Sequence, residues 1–149
     1  MDPTPLLDQA RRLTPPPPQA VAEYQGLLEN LVTDLNARLL KDPSLDSLIG
    51  GAANRPVLWN NNHNHAKFVA TLLADYQPET LVETLRWVLD TYLSRGFRSD
   101  FFPFVLARWK ETLRSQLSPS SLGSILPFYD FMSMAVVALA EARDKESAP

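Results

Sequence analysis

Val21, Tyr24, Leu28, Leu31, Leu35 and Leu39 recur at steps of three and four. That spacing puts them on one face of an α-helix and does not suit the two-residue alternation of a half-buried strand. Equivalent stripes follow at Phe68, Val69, Leu72, Leu73 and Tyr76, at Leu81, Leu85, Val88, Leu89 and Tyr92, and at Phe102, Val105, Leu106, Trp109, Leu113 and Leu117. Proline separates them, because it lacks the backbone donor and clashes with the turn before it. Asp42-Pro43 stops the first helix, and Gln77-Pro78 ends the second and opens the third, where a first-turn proline is tolerated. Gly50-Gly51 closes a short turn of Leu45, Leu48 and Ile49, and Gly96 supplies the helix end after Arg95.

Ser99 or Asp100 is placed to cap a fourth helix that holds Pro103 in its first turn. Ser118-Pro119 reads as an N-cap with proline at the first helical position of a last segment running to about Arg143. Pro127 inside that segment predicts a kink, or a short helix followed by a long one. The fold class expected is all-α: a single-domain globin-like fold or a helical bundle of about five main helices. The chain divides into a Pro-rich N-terminal arm over 1–18, ending in Pro15-Pro16-Pro17-Pro18 and expected on the surface, an all-helical domain over 19–143, and a polar, frayed tail over 144–149.

Composition narrows the function classes. Apolar residues make up 45% of the 149 and charged residues 21%, which suits one domain with a real core. A net charge of -3 without a basic stripe argues against nucleic acid, whose binding is dominated by phosphate contacts. The absence of cysteine excludes disulfides, thiolate metal sites and a cysteine nucleophile. The N-terminus lacks a basic start followed by an apolar run, and no stretch is expected to approach the roughly 18 to 20 apolar residues of a membrane span. The expected setting is cytoplasmic.

Both histidines lie in Asn60-Asn61-Asn62-His63-Asn64-His65, read as the start of the second long helix. Side chains two apart on a helix point in different directions, and no carboxylate lies between Asp46 and Asp75, so His63 and His65 are weak candidates for a metal. The simpler role for these amides and imidazoles is capping of free backbone donors. An anion at that helix entrance, helped by Arg86 and Lys67, is the alternative.

Helically spaced aromatic residues such as Trp59, Trp87, Trp109 and Phe128 ordinarily form a core, and they can also line an apolar pocket. His65, Arg86, Trp87, Phe68 and Trp109 are the candidate ligand-binding residues. Phe101, Phe102 and Phe104 cannot all face one core, which makes them candidate interface residues. No Gly-x-Ser-x-Gly elbow, phosphate loop or dinucleotide glycine pattern occurs, so no catalytic residue and no cofactor is assigned.

The run His65-Ala66-Lys67-Phe68-Val69-Ala70-Thr71-Leu72-Leu73, with Leu85-Arg86-Trp87-Val88-Leu89 and Leu93-Ser94-Arg95-Gly96-Phe97, resembles the helical sensor-type module that precedes cobalamin-binding domains in some bacterial regulators. It is also similar to the globin-related input domains of stressosome and histidine-kinase proteins. The resemblance spans roughly residues 60 to 117. It implies a dimerising bacterial input or signalling domain that acts on a partner in trans or on a copy of itself. The Asp-x-His-x-x-Gly cobalamin signature is missing, so cobalamin binding is not carried over. A conventional haem site is not expected either, because no histidine follows His65 to serve as the proximal ligand.

The first expectation is therefore a non-enzymatic sensory, regulatory or protein-interaction module. The second is a binder of a small apolar or tetrapyrrole-like ligand between helices, and the third a His-dependent metal protein or enzyme.

Overall fold

The apolar stripes become the buried faces of an all-helical structure. A computed structural model describes residues 4–147. Among these residues the elements are α1 (Thr4–Arg11), α2 (Pro18–Gly26), α3 (Leu28–Leu40), α4 (Leu45–Leu48), α5 (Arg55–Ala74), α6 (Pro78–Ser94), α7 (Phe101–Gln116) and α8 (Pro119–Ser147), with a 3-10 turn at Ala52–Asn54. Eight helices replace the expected five or so. The stripe from Val21 to Leu39 is divided at Gly26, the poorest helix former after proline, where the Leu27 N–H bonds to both the Glu23 and Tyr24 carbonyls.

Helix α8 is the hub. It packs most extensively on α7 and also on α6, α2 and α1, while α3 joins α7 to α5 and α5 leans on α2 and α3. Its Ile125, Phe128, Tyr129 and Met132 are buried on both sides of Pro127, and the helix continues through the proline instead of breaking there. The start of α8 follows the expected cap: Ser118 Oγ accepts the Ser121 N–H at 3.4 Å. The Glu23 carboxylate of α2 accepts from the Ser118 N–H and Oγ at 2.7 and 2.9 Å, and these bonds hold its carboxyl below the usual glutamate range.

Several expectations need correction. The arm over 1–18 is not a surface extension throughout: α1 occupies much of it, with Leu6 and Ala10 buried and its face laid on α6. Tyr76 Oη, which donates to the Ala10 carbonyl at 2.5 Å, fastens it. The tail is helical to Ser147, not frayed from Asp144. Met1–Pro3 of the arm and Ala148–Pro149 of the tail lie outside the described residues.

Within Pro119–Glu146 an 18-residue stretch reaches a mean hydropathy of 1.6, so by length and composition α8 comes closer to a membrane span than expected. In the fold its apolar face covers α7, α6 and α2.

Two connections are fastened to each other at one end of α5 and α6. The Arg98 N–H donates to the Leu48 carbonyl at 2.8 Å, and Asn54 Nδ2 donates to the Ile49 and Arg95 carbonyls at 2.7 and 3.2 Å. Gly50 sits at φ 83° with no room for a side chain, since a Cβ there would lie 2.7 Å from the Gly96 carbonyl oxygen. Arg55, the first residue of α5, forms a two-pronged pair with Asp46 at 2.8 and 2.7 Å. Together these contacts set where α5 begins and how it faces α6 and α7.

Candidate functional site

Helix α5 makes its close backbone approaches to α2 and α3, whereas α6 and α7 approach α8. Between α5, α6 and α7, which are not among the more extensively packed helix pairs, a cavity of about 310 Å³ remains. Its wall comes from Asn61, Asn62, Asn64, His65 and Phe68 of α5, from Thr84, Leu85, Trp87, Val88 and Tyr92 of α6, from Phe101, Phe102, Val105, Leu106 and Trp109 of α7, and from Met132 and Val136 of α8. Among the described residues no lysine, arginine, aspartate or glutamate contributes to that wall. The space is mostly aromatic and aliphatic, with its amides and imidazole gathered on α5.

His65 is half-buried in the wall, its ring tilted 34° against Trp109 with centroids 4.8 Å apart. Its Nε2 lies 3.0 Å from Tyr129 Oη, which lies 2.8 Å from Tyr24 Oη, and both tyrosines are fully buried. Burial lowers the His65 pKa to about 4, so the imidazole is neutral at neutral pH. Burial likewise raises both tyrosines well above the ordinary phenol value.

One donor order leaves no buried hydroxyl hydrogen unpaired. Tyr24 donates to Tyr129, Tyr129 donates to His65 Nε2, and the imidazole proton resides on Nδ1. The reverse order strands the Tyr24 proton in the core.

Three residues before His65 on the same face of α5 lies Asn62, which is 0% exposed. Its Nδ2 donates to Asn36 Oδ1 at 2.8 Å, and its Oδ1 has no partner. His63 points elsewhere and pairs with Glu29 at 2.7 Å. The two imidazoles do not converge, and no cluster of three metal-binding side chains occurs among the described residues.

The amide and imidazole run is not a helix entrance. Helix α5 begins at Arg55, a full turn earlier, so these side chains are free of capping, with Asn62 buried, His65 half-buried and Asn60 and Asn64 exposed. The capping role is therefore withdrawn, and with it the anion site at that terminus.

Of the five candidate ligand residues, the structure brings His65, Phe68, Trp87 and Trp109 to one cavity. Arg86 lies outside it, on an α6–α8 surface groove with Asp90, Arg143 and Glu146, and Lys67 is exposed and likewise outside it. Trp87, which the spacing allowed in a core or along a pocket, is 63% exposed at the cavity's edge, whereas Trp109 is 1% exposed. Phe101 and Phe102 are buried and thus withdrawn from any interface, and Phe104 is half-buried with the Arg108 guanidinium 5.1 Å over its ring.

Sequence reasoning missed Tyr24 and Tyr129 as polar partners, and Asn62 as an individual residue. The one signal available was an amide run too long for a cap. Comparison with protein-family models, curated proteins and solved structures finds no match to this chain.

Proposed function

We propose that this chain is a non-enzymatic binding module that takes a small, uncharged and largely apolar molecule between α5, α6, α7 and α8. The observation that carries the reading is the 310 Å³ cavity itself, walled by aromatic and aliphatic side chains and by no ionised group. Binding cavities start at about this size, and an apolar void of about 150 Å³ already holds benzene, so a two-ring molecule fits the space. A charged ligand would lose its hydration without meeting a counter-ion.

The test is thermal unfolding of the full chain with naphthalene as probe. At tenfold the dissociation constant a single-site ligand adds about 1.4 kcal/mol, which raises the melting temperature by roughly 3 to 5 °C for a chain of this size. Met132→Trp, which fills the cavity, abolishes the rise. No shift in the wild type, together with no bound mass in the native mass spectrum, would sink the reading.

A sensory or regulatory use has one observation in its favour. Trp87 belongs both to the cavity wall and to the exposed surface, so an occupant touching its ring changes what that surface presents. Sedimentation with and without naphthalene tests this against Trp87→Ala. A mass independent of both ligand and residue would remove self-association from the proposal.

A further inference from the structure

Asn62 and His65 give the cavity wall a polar pattern that narrows the ligand further, and this inference rests on the binding reading above. Asn62 is wholly covered, belongs to the cavity wall and has spent its amide donor on Asn36. Its Oδ1 accepts nothing among the described residues, and a buried acceptor left unpaired costs stability. His65 is the complementary case. Its Nε2 is taken by Tyr129, so the proton sits on Nδ1, which has no protein partner among the described residues. An acceptor and a donor thus belong to residues three apart on one helix face, both of them in the wall of a mostly apolar space.

A molecule that satisfies both atoms needs its own donor beside its own acceptor. It must also be uncharged, because no ionised side chain lines the cavity. A carboxylate offers only acceptors and an ammonium only donors, whereas an amide offers one of each. The flat rings of Trp109 and Phe68 suit a planar body.

We propose that the occupant is a flat cyclic amide of about two rings, its N–H donating to Asn62 Oδ1 and its carbonyl accepting from His65 Nδ1–H.

The experiment is calorimetric titration of the full chain with three probes of one shape. 2-Quinolinone carries both the N–H and the carbonyl, N-methyl-2-quinolinone keeps only the carbonyl, and naphthalene has neither. The expected result is that 2-quinolinone binds at least tenfold tighter than either of the others. Asn62→Leu then erases its advantage over the N-methyl compound, and His65→Phe erases the carbonyl's contribution. Naphthalene binding by each variant reports whether its cavity is intact, and if a variant does not fold the wild-type series still decides.

Equal binding of the three probes would overturn the cyclic-amide assignment while leaving the apolar cavity in place. Tighter binding of quinoline-2-carboxylate than of 2-quinolinone would overturn both the assignment and the uncharged-ligand reading. Failure of all the probes would overturn the binding function together with this inference.

Discussion

Tyr129 is the middle member of a three-residue hydrogen-bond chain, and that position makes the two buried tyrosines unequal. Removing the Tyr129 hydroxyl leaves the Tyr24 donor and His65 Nε2 both unpaired, whereas removing the Tyr24 hydroxyl leaves the Tyr129 bond to His65 whole. Leaving a buried polar group unpaired costs roughly 1 to 3 kcal/mol. Tyr129→Phe should therefore destabilise by about 2 to 3 kcal/mol and Tyr24→Phe by less than about 1 kcal/mol, with the double variant well short of their sum. Urea denaturation of the three proteins checks this, and equal costs would mean the donor order is wrong. The tryptophans separate in the same way: Trp109→Ala should cost about 3 to 5 kcal/mol and the exposed Trp87→Ala within about 0.5 kcal/mol. Helical spacing identifies both as inward candidates, because a stripe has edges that periodicity does not mark. Tyr129 was illegible for another reason. It sits among the bulky residues Phe128, Phe131 and Met132, and its partner His65 is 64 residues away.

At the scale of elements, helices were readable wherever an apolar stripe met a proline or glycine stop. The starts of α6 and α8 at Pro78 and Pro119, and the positive φ of Gly96 at 95°, follow from local chemistry alone. The start of α5 carries a first-turn proline too, Pro56, but the polar Asn60 to Asn64 run after it reads as a helix entrance, and the anchor of the true start is the Asp46 carboxylate in another element. Helix α1 was hidden by its prolines, which mark an arm in the sequence although Leu6 and Ala10 find a groove on α6. The junction that aims α5 gives an element-scale prediction. Gly50→Ala would need a left-handed backbone, costing about 1 to 2 kcal/mol, and would drive its Cβ into the Gly96 carbonyl, which is backbone and cannot swing aside. The denaturation midpoint should drop by more than the backbone term alone. Gly51→Ala, at φ 121° and ψ 160° with open space around it, should show only the strain of its own glycine-favoured backbone, about 1 to 3 kcal/mol.

For the whole molecule, the placement of a neutral imidazole inside the bundle couples folding to pH. Burial lowers the His65 pKa from 6.5 to about 4, and the groups it meets, Tyr129 and Trp109, bring no charge that would stabilise the imidazolium. Between those two values the unfolded chain binds a proton that the folded chain refuses, so stability falls as pH falls. The effect begins near pH 6.5, where the unfolded histidine titrates, and is complete near pH 4, where the folded one does. Its ceiling is roughly 3 kcal/mol, and water reaching the half-buried ring through the cavity lowers that. Carboxylates held low in the fold, Glu23 by Ser118 and Glu79 by its own backbone N–H and Arg11, add their loss only as pH drops below the ordinary glutamate value. The two windows are therefore separable. Denaturation midpoints from about pH 7 to about pH 4.5 should decline in the wild type and stay nearly flat in His65→Phe, which is less stable at neutral pH because Tyr129 loses its acceptor. Parallel declines in the two proteins would place the titrating group elsewhere and would mean that His65 is solvated in the folded state.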